Sequence, residues 1–115
     1  MQEPTFLVLT VLAGPPLHGY GIMRAVKEVS GGAVDLRAGT LYAALDRLTQ
    51  EGLVELAREE TSPGGQVRRY YRLTERGSGA LGHEAHRRRE LAAVAERRLA
   101  ALARDTGTVP PPATA

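Results

Sequence analysis

Four arginines lie close together in the second half of the chain, and their side chains could bind phosphate. Arg68, Arg69, Arg72 and Arg76 fall within nine residues, and Glu75 is the only acid among them. Such a cluster attracts the phosphate groups of a nucleic acid. The position of the charges is more informative than their sum, since the formal net charge of the chain is only +2.

The segment GTLYAALDRLTQEGLV, residues 39–54, is a second candidate for a binding surface. Leu41, Leu45 and Leu48 have the spacing of a buried stripe on a helix that begins near Ala38. The outer side of this helix is too mixed for a core and too sparsely charged for an ordinary solvated surface. Its residues are Thr40, Tyr42, Ala43, Arg47 and Gln50. Such a face is typical of a helix that is reserved for a partner.

Several classes of function lack the residues that they need. The chain has no cysteine, which excludes disulfides and a cysteine-based zinc site and is compatible with a reducing cytosol. His83 and His86 lack both the spacing of a metalloprotease helix and an evident third ligand, so we expect no metal and no cofactor. No nucleophile elbow, phosphate loop or pair of catalytic carboxylates is recognisable, and we do not expect an enzyme. The longest apolar run, residues 6–13, is too short to span a bilayer.

The first half of the chain is predicted to form three helices. Residues 3–13 are apolar on nearly all sides, which predicts a helix that is buried on more than one side. A second helix is predicted at about residues 20–30, and its inner face consists of Ile22, Val26 and Val29. Gly52 follows the third helix where a left-handed residue is favoured.

After the third helix the apolar residues no longer follow a helical period. Residues 53–60 and 67–73 are typical of two strands, and the breaker-rich turn at 61–66 joins them into a hairpin. Thr74 is a suitable N-cap for a last helix that reaches about Arg104. Residues 105–115 are expected to form a disordered tail.

The last helix has a heptad pattern with no partner inside the chain. Its seam contains Arg88, which needs an acid or solvent because an unpaired buried charge is costly. The pattern predicts packing against the same helix, or against residues 3–13, of a second subunit. The residues expected at this interface are Phe6, Leu9, Leu81, Ala85, Ala92, Ala95, Leu99 and Leu102.

The order of three helices, a hairpin and a last helix predicts a winged helix-turn-helix fold, mostly α with a small β-hairpin. Residues 1–73 would form the winged domain, residues 74–104 a C-terminal dimerisation helix and residues 105–115 the tail. In this fold the third helix enters the major groove of DNA, and the hairpin acts as the wing.

Three motifs at these positions resemble the PadR-type transcriptional regulators, in the short subclass with a single C-terminal helix. They are LHGYGI at 17–22, GTLYAALDRLTQEGLV at 39–54 and RRYYRLTERGSGAL at 68–81. The resemblance covers roughly residues 5–100. It implies a cytoplasmic homodimer that binds a palindromic operator in double-stranded DNA, usually as a repressor, with a small-molecule effector at the dimer interface. The alternative is a winged-helix module that binds a protein and not DNA.

The resemblance also implies which residues contact DNA. They are His18, Tyr20, Arg37, Thr40, Tyr42, Ala43, Arg47, Gln66, Arg68 and Arg69. Several of these residues have alternative roles. Tyr42 could pack its ring at the edge of the core, and Arg47 could pair with Asp46 or Glu51. Arg37 could be a solvated arginine, and the HGYG segment with His18 and Tyr20 could serve as a cap and turn.

The two neighbouring arginines of the returning strand cannot serve the same purpose. Since consecutive strand residues point to opposite faces, we expect one of Arg68 and Arg69 to reach DNA. The other is expected to pair with Glu55 or Glu59 on the partner strand. The next two residues, Tyr70 and Tyr71, are expected to pack the wing against the core and not to stack on bases.

Overall fold

The computed structural model describes residues 1–106 and 112–113. Its elements are, in chain order, α1 (Glu3–Val11), β1 (Leu17–His18), α2 (Gly19–Val29), α3 (Ala38–Gln50), β2 (Val54–Thr61), β3 (Val67–Leu73) and α4 (Glu75–Thr106). The chain divides into two units, Met1–Gly82 and His83–Ala115, and α4 has residues in both. None of the described helices is both long and apolar enough to cross a membrane.

The core of the first unit lies where α1, α2 and α3 meet. Leu41, Leu45 and Leu48 of α3 are at most 1% exposed, as their spacing predicts. Full burial of one such side chain stabilises the fold by about 1.5–3 kcal/mol. The other buried apolar residues of this core are Leu7, Val8, Leu9, Leu12, Ile22, Val26 and Val54.

Two apolar residues differ from their prediction. Val29 is exposed and does not belong to the inner face of α2, because it is the last residue of that helix and lies beyond the part that packs on the core. The prediction that Leu9 lies at a subunit interface is wrong, because its side chain is fully buried in the core of its own chain.

The hairpin belongs to a three-stranded antiparallel sheet with the strand order β1-β3-β2. The prediction of two strands missed β1, whose Leu17 and His18 lie opposite Tyr71 and Tyr70 of β3. A strand of two residues is too short to show an alternating pattern, so periodicity could not reveal it. The consequence is that the start of α2 is fixed to the wing.

The two faces of the sheet carry different residues because side chains alternate along β3. Tyr71 packs against the hydrophobic core, together with Leu17 of β1, as predicted for this tyrosine. The residues before and after it, Tyr70 and Arg72, point to the other face. The prediction that both tyrosines pack on the core therefore holds for Tyr71 and not for Tyr70.

Thr74 connects the end of the sheet, the end of α3 and the start of α4. Its hydroxyl donates to the Gly52 carbonyl oxygen at 2.6 Å and accepts from the Gly77 N–H at 2.9 Å, which confirms it as the N-cap of α4. Gly52 has a φ of 77°, in the left-handed region that ends a helix. A Cβ atom on Gly77 would overlap the Leu53 carbonyl oxygen, so this close approach requires glycine.

The part of α4 in the second unit contains a buried acid, Glu84. Arg87 Nη2 donates to its carboxylate at 2.7 Å, and Arg88 Nε donates to it at 3.3 Å. The hydrogen bonds from Arg87 lower the pKa of Glu84 to about 2, so the carboxylate is charged at neutral pH. The arginine of the predicted seam thus has the acidic partner that it needs.

The end of α4 lies two residues beyond the predicted boundary. Asp105 is helical and is not part of a tail, since α4 continues to Thr106. The prediction of a disordered tail falls largely on residues 107–111 and 114–115, which lie outside the described residues.

Replacement of Thr74 should show how much the N-cap stabilises the fold. Thr74→Val keeps the shape of the side chain but removes the hydroxyl that serves Gly52 and Gly77, and we expect a loss of about 1–2 kcal/mol in the free energy of unfolding. Thr74→Ser keeps the hydroxyl and is expected to retain most of that stability. Urea unfolding at equal protein concentration measures both, and equal losses in the two variants would contradict a role for the hydroxyl.

Candidate nucleic-acid interface

The exposed face of α3 lies opposite its three buried leucines. At 100° per residue, the positions farthest from the leucine stripe are Gly39, Ala43, Asp46 and Gln50, and all four are exposed. A Cβ atom on Gly39 would meet nothing within 4 Å, so the start of this face is open. The structure therefore places Ala43 at the centre of an exposed helical surface whose side chains are small toward the N-terminal end of α3.

Asp46 belongs to this face, although it is not among the predicted contact residues. It follows Ala43 by three residues and precedes Gln50 by four, which is the spacing of one helical side. This spacing was visible in the sequence. From the sequence, Asp46 was expected only as one possible ion-pair partner of Arg47, but in the structure Arg47 approaches Glu51.

Tyr42 has a packing role at the boundary between α2 and α3. A Cβ atom on Gly19 would collide with the Tyr42 hydroxyl, so the tyrosine ring lies directly against the start of α2. The side chain of Tyr42 is nevertheless partly open to solvent. Both the DNA-contact role and the alternative of packing at the core edge are therefore compatible with its position. The contact explains why the first glycine of the LHGYGI motif, Gly19, lacks a side chain.

Arg47 is turned toward α1 and not along the outer face of α3. Its Nη2 donates to the Thr5 hydroxyl at 2.9 Å, and its Nη1 lies 4.0 Å from a Glu51 carboxylate oxygen. Thr5 is buried, whereas the arginine is half-exposed. Arg47 thus joins α3 to α1, and part of the Arg47 guanidinium remains accessible to solvent.

The wing arginines divide as the strand alternation predicts. Arg69 Nε lies 3.3 Å from a carboxylate oxygen of Glu59, which is one of the two predicted partners. Arg72 Nε pairs in the same way with Glu55 at 3.0 Å. The Arg68 side chain forms no hydrogen bond or ion pair with a described residue, although its charge helps to lower the pKa of Glu60, and it is exposed near the tip of the hairpin. Much of the positive charge of the cluster is therefore balanced by acids of β2.

The remaining predicted contact residues lie around the same surface. Gln66 is exposed at the hairpin tip, where its N–H donates to the Ser62 hydroxyl at 3.2 Å. Arg37 occupies the N-cap position of α3, and its side chain does not cap the helix. Thr40 follows it on the exposed first turn.

No described group of three or more histidines, cysteines, aspartates or glutamates could hold a metal ion.

A row of rings joins α2 to the outer face of the sheet. The ring of His18 lies between those of Tyr70, with centroids 5.3 Å apart, and Tyr20, with centroids 6.5 Å apart. The Arg58 guanidinium covers the far side of Tyr70 at 4.1 Å from the ring centroid. His18 is half-buried in this row, whereas Tyr20 is 61% exposed. Of the two, Tyr20 is therefore the residue with more surface free for a partner.

A groove of about 430 Å³ separates the second half of α3 from the hairpin. Asp46 and Gln50 line its helix side, and the Glu59–Arg69 ion pair lines its sheet side, with Tyr71 between them. Burial raises the pKa of the Tyr71 hydroxyl, the Arg69 guanidinium partly opposes this, and Tyr42 and the Asp46 carboxylate raise the pKa further. The tyrosine is therefore a neutral hydroxyl in a groove that carries two carboxylates.

These elements define the class of the protein. A recognition helix with a free outer face, a preceding helix fixed to its first turns and a small antiparallel sheet beside it constitute a winged helix-turn-helix domain. The long helix α4 follows that domain, as the sequence predicts.

The family follows from comparison with known proteins. Residues 8–83 match the model of the transcriptional regulator PadR-like family, and the chain belongs to this family. The family consists of transcriptional regulators and not of enzymes, which confirms the expectation from the sequence.

Two solved structures of PadR regulators and one protein of similar sequence illustrate the likeness. A PadR family transcription regulator from Clostridium difficile is 28% identical, has a TM-score of 0.66, and is aligned over 83% of this chain and 96% of its own. Bacillus subtilis PadR in complex with operator DNA is 25% identical with a TM-score of 0.66, over 73% of this chain and 47% of its own. An uncharacterized 37.1 kDa protein in transposon TN4556 of Streptomyces fradiae is 43% identical over 74% of this chain, which spans only 23% of that protein.

The contact between Gly19 and Tyr42 predicts a compensating pair of substitutions. Gly19→Ala is expected to cost about 1–3 kcal/mol of unfolding free energy, because the new methyl group displaces the tyrosine ring. In a Tyr42→Ala background the same change should cost less than half as much. Urea unfolding of the wild type, both single variants and the double variant measures this coupling, and additive losses would contradict the contact.

Proposed function

We propose that this protein is a sequence-specific DNA-binding transcriptional regulator that acts in the cytoplasm as a homodimeric repressor on a palindromic operator. The observation that carries the proposal is the outer face of α3, which is exposed along its length beside an equally exposed wing. Its relative from Bacillus subtilis, which has the same fold, is seen on operator DNA.

The recognition helix would enter the major groove with its N-terminal end foremost. Gly39 has no side chain and Ala43 has only a methyl group, so the backbone of α3 can come close to base edges. The free N–H groups at the start of α3 favour a phosphate there. Thr40 and Arg37 lie at that end and would donate to the same backbone, and Ala43 would contact a base edge such as a thymine methyl group.

Two groups outside α3 would hold the domain on the DNA backbone. Tyr20, at the start of α2, presents an exposed ring and hydroxyl beside His18. On the wing, Arg68 and Gln66 are exposed near the tip. Since Arg69 is already paired with Glu59, Arg68 would make the main phosphate contact of the wing.

The dimer would form through α4. In the second unit, the seam positions expose apolar surface that includes Leu99, which is 59% exposed. Ala95 and Ala92 lie on the same seam, one and two turns before Leu99, and would let two helices approach closely. The two recognition helices of such a dimer would lie about 34 Å apart, one turn of DNA.

A small-molecule effector that binds at the dimer interface would release the repressor from its operator. Such a ligand can release the protein only if it binds the DNA-free geometry more tightly than the DNA-bound one. With no tryptophan in the chain and no aromatic residue in α4, a flat aromatic drug has little to stack on in that helix.

Single substitutions in the wing should distinguish the contributions of Arg68 and Arg69 to DNA binding. Arg68→Ala is expected to weaken binding to all duplexes by about tenfold and to reduce the slope of log affinity against log salt by about one phosphate contact. Arg69→Ala should change both quantities less, because Arg69 is paired with Glu59. Fluorescence anisotropy at several salt concentrations measures both, and a larger effect from Arg69→Ala would contradict this division.

Two matched substitutions in α4 test the dimer. Ala95→Glu puts a carboxylate into the seam and is expected to convert a micromolar dimer into a monomer. Ala101→Glu makes the same change two residues beyond Leu99, away from the seam, and should leave the dimer intact. Sedimentation velocity distinguishes the two states, and a wild-type monomer at micromolar concentration would contradict the proposal.

DNA binding itself is tested by anisotropy titration with the promoter region of the protein's own gene and with a scrambled duplex, at two salt concentrations. Selective binding that weakens with salt supports the regulator. Weak binding to every sequence, confirmed with a pool of random duplexes, would favour the alternative of a winged-helix module that binds a protein.

A further inference from the structure

Asp46 is the one acidic residue among the four that lie farthest from the core on α3. Within the described part of the chain, its carboxylate takes part in no hydrogen bond or ion pair. Arg69 lines the same groove as Asp46 but pairs with Glu59. Arg47, the next residue in the chain, binds Thr5. Asp46 is thus an exposed carboxylate that forms no ion pair with another described residue.

A carboxylate at this place has few favourable partners on DNA. It repels the phosphate backbone, so it cannot serve as a positioning contact of the kind that arginine makes. The donors that the major groove offers are the amino groups of the bases, and a carboxylate pairs with the N4 amino group of cytosine. An unpaired acid in the middle of a recognition helix therefore favours a base contact over a backbone contact.

The neighbours of Asp46 allow this short side chain to reach a base. Gly39 and Ala43 precede it on the same face, so the helix backbone can approach the groove floor closely. Three residues of helix advance about 4.5 Å, which is close to the 3.4 Å spacing of stacked bases. Asp46 would therefore lie about one base pair from the position that Ala43 contacts.

We propose that Asp46 is a specificity-determining residue that accepts a hydrogen bond from the N4 amino group of a cytosine in each operator half-site. The inference rests on the proposed function, because it requires α3 to lie in the major groove. It assigns to Asp46 the choice of one base pair, whereas Arg68 and Arg37 would supply affinity without sequence preference.

The test is a selection of bound sequences from random duplexes by the wild type, Asp46→Asn and Asp46→Ala. The wild type should enrich a C·G pair at one position of each half-site. Asp46→Asn should replace that preference by A·T, since an asparagine side chain pairs with adenine, and Asp46→Ala should lose about tenfold of the discrimination at that position only. Anisotropy with single-site operator variants then measures the size of each change.

Glu28→Gln is the matched control, because it removes one exposed negative charge near the end of α2, away from the outer face of α3. It should leave the selected sequence unchanged. If Asp46→Asn and Asp46→Ala also leave it unchanged, or raise the affinity for all duplexes equally, Asp46 acts only by repulsion and the inference is wrong. If the wild type enriches no sequence at all, the proposed function itself is wrong.

Discussion

The burial of three leucines on one side of α3 is the constraint on which the rest of the structure depends. Leu41, Leu45 and Leu48 are removed almost completely from solvent, and together they fix the rotation of the helix about its axis. Because a helix turns by 100° per residue, that rotation also decides which residues face outward. A change of one position in the stripe would replace the open face around Ala43 by a different set of side chains.

The surroundings of α3 hold this rotation in place from two sides. Tyr42 lies against Gly19 at the start of α2, and Arg47 binds Thr5 of α1. At the far end, Thr74 binds the Gly52 carbonyl oxygen just after the helix. The contacts of Tyr42 with Gly19 and of Thr74 with Gly52 join the three sequence motifs to one another, so residues of separate motifs support α3 together.

The electrostatics of the wing differ from what a count of arginines indicates. Acids of β2 are in ion pairs with Arg69 and Arg72, and exposed pairs of this kind contribute only about 0–1 kcal/mol each to stability. Their larger effect is on the field that approaching DNA meets, since paired charges largely cancel at a distance. Among the described residues, the side chains of Arg68 on the wing and Asp46 on α3 form no ion pair, so their charges contribute to that field without a neutralising partner.

The sequence by itself determined the order of the elements, the leucine stripe of α3, the cap at Thr74 and the acidic pairing of one wing arginine, because all of these depend on local spacing and on residue type. Only the tertiary structure decided that β1 joins the sheet, that Leu9 faces its own core and that Arg47 turns toward α1. Those features depend on which distant segments meet, and periodicity along the chain carries no information about such encounters. Asp46 lies between the two cases: its spacing was in the sequence, but only the fold showed that its carboxylate forms no ion pair with any residue that the structure describes.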